Sequence, residues 1–324
     1  MQAVVLVGGE GTRLRPLTLT TPKQMLPVAG QPMIERVIGH LAGHGVDRVV
    51  LALGYRPHAF LQAYPDGRCG SVLLTYAVED QPLDTAGAIA FAAAHAGITE
   101  TFVVVNGDVL TALDVTALVA FHGERGAEAT IALTPVSDPS AFGVVPTAGD
   151  GRVTSFIEKP SWGEAQTNLI NAGTYICEPS VLTRIPGGRR VSIERETFPA
   201  MVDEGTLFAM ASYAPWTDVG TPERYLEANL ALGSTSGPGA GIDPSAVVEG
   251  SVIGAGCVVA GGARIERSVL LDGVRVGRDA TVRGSIIGRD ATIGEGASVD
   301  DLSVVGDGAE VGVGEAIAAG RLSS

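Results

Sequence analysis

Short apolar runs rich in β-branched residues alternate with segments of helical period from the N-terminus to about residue 106. Residues 3–7, 49–53, 72–77 and 102–105 predict strands. Between them, 32–44 (apolar at Met33, Ile34, Val37, Ile38 and Leu41), 57–63 and 85–96 predict helices. Strands that are apolar on both faces and separated by helices imply a parallel sheet covered on both sides, with ligands beyond the carboxyl ends of its strands. Two stretches satisfy that rule: the glycine-rich turn after the first strand, and Asn106-Gly107-Asp108 after the fourth. From 130 to about 231 the pattern is mixed, with strands predicted at 130–134, 143–146, 153–157 and 173–177 and helices at 193–203 and 222–232. Thr221-Pro222-Glu223 opens the last helix with a capping residue and proline at the first helical position. The composition of 233–241 predicts a flexible linker.

Beyond it the period changes. Aliphatic residues recur every five or six positions, at Ile242, Val248, Ile253, Val259, Ile265, Leu271, Val276, Val282, Ile287, Ile293, Val299, Val305, Val311 and Ile317, often followed by glycine. A hexapeptide repeat of this kind winds into a parallel β-helix with an inward aliphatic ladder and glycine at the corners. The expected architecture is therefore α/β, a Rossmann-like, mostly parallel sheet with helices on both faces at 1–232, a linker at 233–241 and a parallel, left-handed β-helix at 242–324.

Composition adjusts this picture in three ways. The 44 glycines find their cause in the repeat. A formal net charge of −14 argues against a nucleic-acid or anionic-membrane partner, so a phosphate ligand needs local cations or a metal. Cys69, Cys177 and Cys257 are distant and lack metal-binding spacing, which predicts thiols in a reducing compartment. With neither a signal-peptide pattern nor an apolar run of about 18 residues, the expectation is a cytoplasmic protein without a membrane span.

The loop Gly8-Gly9-Glu10-Gly11-Thr12-Arg13-Leu14-Arg15-Pro16 lacks the G-K-[ST] ending of a P-loop and the third glycine of a dinucleotide fingerprint. Glycines after a buried strand still let backbone N–H groups approach a polyanion, and Arg13 and Arg15 add fixed positive charge. Asp108, following a buried strand, is a candidate ligand for a hard cation. All five histidines precede residue 123, so the repeat region has no histidine base for acyl transfer and reads as an assembly or regulatory element.

Together with Thr21-Pro22-Lys23-Gln24-Met25-Leu26-Pro27, this loop resembles the sugar-nucleotide pyrophosphorylase family. The resemblance extends over the first 230 residues through Pro82-Leu83-Asp84-Thr85-Ala86-Gly87, Asn106-Gly107-Asp108, Phe142-Gly143-Val144-Val145, Glu158-Lys159-Pro160, Asn171-Ala172-Gly173 and Trp216-Thr217-Asp218-Val219-Gly220. It implies an enzyme that joins a nucleoside triphosphate to a sugar 1-phosphate with release of pyrophosphate. Arg13, Lys23 and Asp108 are then expected to be catalytic, and Asp108 and Asp218 to hold Mg²⁺. The nucleotide side would comprise Leu6, Gly8, Gly9, Gly11, Thr12, Arg13, Gln24, Pro82, Gly87 and Asp108. Gly143, Glu158, Lys159 and Asn171 would serve the sugar phosphate.

Within the family, the mannose-1-phosphate guanylyltransferases are the most similar group, which implies GTP and mannose 1-phosphate as substrates. Two departures keep alternatives open. Gln24 stands where proline is more usual and is similar to the glucose-1-phosphate thymidylyltransferases, and Asp84 replaces a glycine in the base-contacting turn. A related hexose or cyclitol phosphate, and a non-catalytic subunit that senses nucleotide sugars, are the other readings. A homo-oligomer is expected.

Overall fold

The computed structural model describes residues 1–161 and 163–323; Trp162 and Ser324, the last residue of the expected repeat domain, lie outside the described residues. The chain forms two compact units, one of Met1–Gly9 with Ile34–Trp216, the other of Glu10–Met33 with Thr217–Ser324.

The first unit is built on a ten-stranded sheet. Its main strands are β1 (Gln2–Leu6), β2 (Arg48–Leu53), β3 (Val72–Val78), β4 (Phe102–Asn106), β5 (Ala129–Pro135), β6 (Gly143–Val144), β7 (Ile157–Glu158), β8 (Leu169–Cys177) and β9 (Leu207–Ala211). β1 lies between β2 and β4 and is parallel to both, with Leu6 opposite Ala52 on one side and Asn106 on the other. The chain proceeds from β1 outward to β2 and β3, then returns to β4 on the far side of β1. This reversal makes the β1–β4 crevice a topological switch point, where α/β sheets bind ligands. Antiparallel β8 then joins β4 to β5.

Burial explains the pattern. Ala3, Val4 and Val5 of β1 are fully buried, as a strand covered on both faces requires. Helix α1 (Met33–Gly43) buries the predicted residues Met33, Ile34, Val37, Ile38 and Leu41. Helices α2 (Pro57–Ala63) and α3 (Asp84–Ala96) also form where the period predicts them. Small residues on α3, including Ala86, Ala92 and Ala93, let it pack closely on Val4, Val50 and Val104. Two elements carry signals that the periodicity scan passes over. Helix α4 (Val115–Arg125) is capped by the Asp114 side chain accepting from the Ala117 amide, and β9 runs parallel to β5. Two predictions change. The strand expected at 153–157 is reduced to an isolated bridge at Val153 followed by the two-residue β7. The helix expected at 193–203 opens with a π-helical turn at Ile193–Thr197 and becomes α5 (Phe198–Glu204), with proline in its first turn.

The second unit contains the β-helix. Its strands stack into three parallel sheets. Val252–Ile253 pairs with Val269–Leu270, which pairs with Ile286–Ile287, and the other two sheets follow the same plan. Ile253, Val259, Ile265, Val276, Val282, Ile287, Ile293, Val299, Val305 and Val311 form the buried ladder, while Ile242, Val248 and Ile317 close its ends partly exposed. One rung is corrected. The inward residue opposite Ile253 and Ile287 is Leu270 and not Leu271, because this coil advances five residues from Ile265 and not six. At one corner Ser251, Ser268, Ser285 and Ser303 are buried in a stack; the Ser268 amide donates to the Ser251 hydroxyl and the Ser285 amide to the Ser268 hydroxyl. Corner glycines are forced by proximity, since a Cβ on Gly288 would lie 2.6 Å from the Asp307 amide nitrogen. For the same reason the glycine-rich stretch expected to be linker already winds as the first coil, with Thr235–Ser236 pairing to Val252–Ile253.

Helix α6 (Pro222–Ala231) precedes the β-helix, with the Thr221 side chain accepting from the Arg224 amide as predicted for its cap.

Candidate active site

Each unit presents its own set of candidate residues. In the first, β1 ends at Leu6 and turns through Gly8 and Gly9, both exposed and with open space where a side chain would be. On the neighbouring strand the Gly107 amide donates to the Leu6 carbonyl at 2.8 Å, so Asp108 follows directly beside the mouth of the glycine turn. The switch point thus holds an anion-accepting turn next to a partly exposed carboxylate.

The turn before α3 is more committed. Pro82 is exposed, but Gly87 is buried and its amide donates to the Val191 carbonyl at 3.2 Å. Asp84 has φ of +63°, a left-handed conformation that explains the usual glycine there; aspartate tolerates it better than most residues, and its carboxylate accepts from the Thr85 amide at 2.9 Å.

The sugar-side residues share one wall. Gly143 of β6 is opposite Glu158 of β7, and a Cβ on Gly143 would lie 2.7 Å from Phe156 Cζ and 3.0 Å from Glu158 Oε2. Lys159, with φ of +52°, extends its ammonium into solvent 3.7 Å from Glu158 Oε1. Asn171 sits where the β8 pairing shifts register. Its Nδ2 donates to the buried Tyr175 hydroxyl at 2.9 Å and its Oδ1 accepts from the Gly173 amide. Burial raises the Glu158 pKa and the Glu194 carboxylate adds to the rise, against the opposing charges of Lys159 and Arg195.

Glu194, Arg195, Tyr175 and Trp216 are the members of this neighbourhood that sequence reasoning missed. Glu194 Oε2 accepts from the hydroxyls of Thr85 and Ser192, and Trp216 Nε1 donates to the Ala172 carbonyl while its ring meets Phe142 edge-on at 5.7 Å. The stretch 191–199, which resembles the mannose-1-phosphate guanylyltransferases, was the available signal for Glu194. Trp216 opens the stretch Trp216-Thr217-Asp218-Val219-Gly220 that carries the family resemblance, which was its signal.

In the second unit the loop tightens into a 3₁₀ turn at Thr12–Leu14. Gly11 has φ of +61°, its carbonyl accepts from the Thr18 hydroxyl at 2.8 Å, and a Cβ there would sit 3.2 Å from Lys23 Cβ. Thr12 and Arg13 are exposed, whereas Lys23 is buried. Gln24, expected beside the nucleotide, is only 2 % exposed with its Oε1 unpartnered among the described residues, so it is part of the loop's packing. Asp218 Oδ2 accepts from Arg224 at 3.3 Å, and Arg13 and Asp218 both flank Gly220.

Among the described residues no group of three or more His, Cys, Asp or Glu forms a metal cage, and no helix is long and apolar enough to cross a membrane. An anion-accepting turn at a switch point, a carboxylate beside it and a cation-bearing loop define a nucleotide-handling α/β protein with an appended β-helix. The chain belongs to the nucleotidyl transferase family, which residues 2–235 match, and residues 234–320 match the GMPPB C-terminal domain.

The chain is 40% identical over 290 residues to the mannose-1-phosphate guanylyltransferase of Mycobacterium tuberculosis, covering 84% of this chain and 80% of that one. It is 38% identical over 336 residues to mannose-1-phosphate guanylyltransferase 1 of Arabidopsis thaliana, covering 96% and 92%. Among solved structures, HddC from Yersinia pseudotuberculosis complexed with GMP-PN matches with a TM-score of 0.61 at 28% identity, over 71% of this chain and 99% of that one. Relatives named as transferases align over most of the chain, so this protein is a catalyst and not a sensing subunit.

Proposed function

We propose that this enzyme joins GTP to mannose 1-phosphate, giving GDP-mannose and pyrophosphate. The observation that carries the chemistry is the pairing of Leu6 with Asn106, which sets the Gly8-Gly9 turn and Asp108 at the ends of adjacent parallel strands. The substrates follow from the relatives, two of which are mannose-1-phosphate guanylyltransferases over at least 80% of their own length.

The reaction asks for alignment and charge neutralisation more than for proton transfer. A phosphate monoester is largely dianionic at neutral pH, with a second pKa of about 6. One of its oxygens forms a bond to the α-phosphorus as the bond from that phosphorus to the bridging oxygen breaks, and the electron pair departs with pyrophosphate. The exposed backbone at Gly8, Gly9, Gly11 and Thr12 receives the triphosphate, and Arg13 and Lys23 offset its charge. Lys23, being buried, exerts its charge through a medium of lower effective dielectric than water. Leu6, Pro82, Gly87 and Gln24 form or support the nucleoside side of the pocket. Glu158 accepts from sugar hydroxyls, Lys159 meets the sugar phosphate, and Gly143 and Asn171 shape the wall around them.

The family works with a divalent metal, and we propose Mg²⁺ held by Asp108 and Asp218. Both supply hard oxygen donors, and Mg²⁺ ordinarily takes one or two carboxylates and completes its shell with water and phosphate oxygens. When bound it neutralises charge developing on the phosphates. The unpaired thiols of Cys69, Cys177 and Cys257 suit the cytoplasmic location we propose. For the homo-oligomer we propose, Val313, 80% exposed on the β-helix, offers apolar surface.

Pyrophosphate release should be measured with each nucleoside triphosphate against mannose 1-phosphate and glucose 1-phosphate at saturating Mg²⁺. GTP with mannose 1-phosphate should give the highest kcat/KM. A preference for dTTP with glucose 1-phosphate would instead select the thymidylyltransferase reading.

A further inference from the structure

The loop that carries Arg13 and Lys23 is fastened by side chains to one corner of the repeat domain. Thr20 donates its hydroxyl to Asp307 Oδ2 at 2.5 Å, and Arg289 Nη1 donates to the Thr21 hydroxyl at 3.0 Å. The two β-helix residues are themselves joined, because Asp307 Oδ1 accepts from the Arg289 amide at 2.8 Å. The Pro16 ring rests on the same corner, where a Cβ on Gly306 would lie 3.1 Å from it. Farther along, the buried Tyr225 hydroxyl of α6 donates to the Pro27 carbonyl and Asn229 Oδ1 accepts from the Ala29 amide. The segment from Pro16 to Ala29 is therefore anchored at both ends.

These anchors bear directly on the cations. Arg13 lies three residues before Pro16 and Lys23 two residues after Thr21. Within the loop, the Thr18 hydroxyl donates to the Gly11 carbonyl, and Gly11 packs against Lys23 Cβ. A displacement of Thr20 and Thr21 would pass to Gly11, and with it to the 3₁₀ turn that presents Arg13. Short 3₁₀ turns have weak hydrogen-bond geometry and little stability of their own, so outside contacts decide how well such a loop is ordered.

We propose that Arg289 and Asp307 are positioning residues for the nucleotide: acting through Thr21 and Thr20, they hold the triphosphate loop in its binding conformation, so that the β-helix sets nucleotide affinity. This rests on the nucleotidyltransferase reading above. Preordering a loop lowers the entropy lost on binding, and that saving appears in KM for the nucleotide and not in KM for the sugar phosphate. Asp272 caps an equivalent corner, accepting from the Ala255 amide, which makes it the internal control for a corner aspartate outside the Thr20 contact.

The test uses the full chain with Thr20→Val, Thr20→Ser, Arg289→Ala and Asp272→Asn. Thr20→Val and Arg289→Ala should each raise KM for GTP about fivefold, the weight of one net hydrogen bond, with kcat and KM for mannose 1-phosphate within about twofold. Thr20→Ser should restore the wild-type value, and Asp272→Asn should leave KM for GTP unchanged. Amide exchange, measured without substrate, should quicken across residues 10–26 in Thr20→Val and Arg289→Ala and stay unchanged across the ladder at 253–311. Unchanged exchange and unchanged KM in both variants would overturn the proposal, as would an equal rise in both KM values with a lower Tm, the signature of general loosening. If the wild-type enzyme releases no pyrophosphate from any substrate pair, the nucleotidyltransferase reading fails, while exchange at 10–26 still decides whether the clamp exists.

Discussion

Arg13 and Asp218 meet at Gly220: a Cβ on that glycine would lie 2.7 Å from Arg13 Nη2 and 3.0 Å from Asp218 Oδ1. The absence of a side chain is what allows a guanidinium and a carboxylate from opposite ends of the catalytic segment to occupy the same corner. Gly220→Ala should displace Arg13, whose exposed, flexible end can yield, while leaving the fold almost unchanged. The expected result is a fall in kcat/KM of about 10- to 100-fold with Tm within about 2 °C of wild type. Steady-state kinetics beside a thermal melt checks this, and equal activity would show that Arg13 is not held against the phosphates.

Asp108→Asn and Asp218→Asn should each reduce pyrophosphate release by about a thousandfold, since each removes a charged donor to the proposed Mg²⁺ but keeps the shape of the side chain. Circular dichroism should be unaltered in both. Asp218→Asn should also weaken the contact from Arg224, now 3.3 Å from its carboxylate. Full activity in both variants at saturating Mg²⁺ would sink the metal assignment.

Gly143→Ala sets a methyl group against a ring that cannot easily yield, 2.7 Å from Phe156 Cζ and 3.0 Å from Glu158 Oε2. Overpacking of this kind costs about 1–3 kcal/mol. The displacement of Glu158 should raise KM for mannose 1-phosphate more than KM for GTP. A purely structural effect would change the two together.

The pH dependence follows from Glu158, whose pKa is raised by burial and by Glu194. The fold therefore favours its protonated form. That contribution to stability is full below the ordinary glutamate value and is lost as pH rises through the elevated one. Ionised Glu158 is a partly desolvated carboxylate, so Glu158→Gln should raise Tm at pH above the elevated value and lose that advantage at acidic pH. Its catalytic effect should be opposite in sign: KM for the sugar phosphate should rise at pH 7, because a carboxylate accepts hydroxyl hydrogen bonds more strongly than an amide. In the wild type the same KM should rise as pH falls through the elevated pKa, and Glu194→Gln should move that transition to lower pH. A profile unaffected by Glu194→Gln would remove Glu194 from the account.

Much of the fold was legible because burial writes itself into the order of residues. Strand β1 is apolar at consecutive positions because both faces are covered, and α1 repeats at helical spacing because one face is. The β-helix was legible because each short strand repeats the demand of the one before, apart from the five-residue step that sends Leu270 and not Leu271 inward. Where elements are short the signal fades: 153–157 forms only a bridge and a two-residue strand, and no periodicity separates the π-helical turn at Ile193–Thr197 from an ordinary helix start.

The candidate site divides in the same way. Its glycine turn, Arg13 and Asp108 could be named from local chemistry, because backbone approach to a polyanion and binding of a hard cation each require particular residue types, whereas Lys23, Glu158, Lys159 and Asp218 were named from the family resemblance. Tertiary structure alone decided that Gln24 is buried, that the Gly87 amide is spent on Val191, that Glu194 faces Glu158 and that Thr20 is held by Asp307. Each of these depends on residues distant in the chain. A sequence records what each position must be in order to be buried or exposed, but which distant group fills a given hydrogen bond or shares a given field is settled only when packing brings them together.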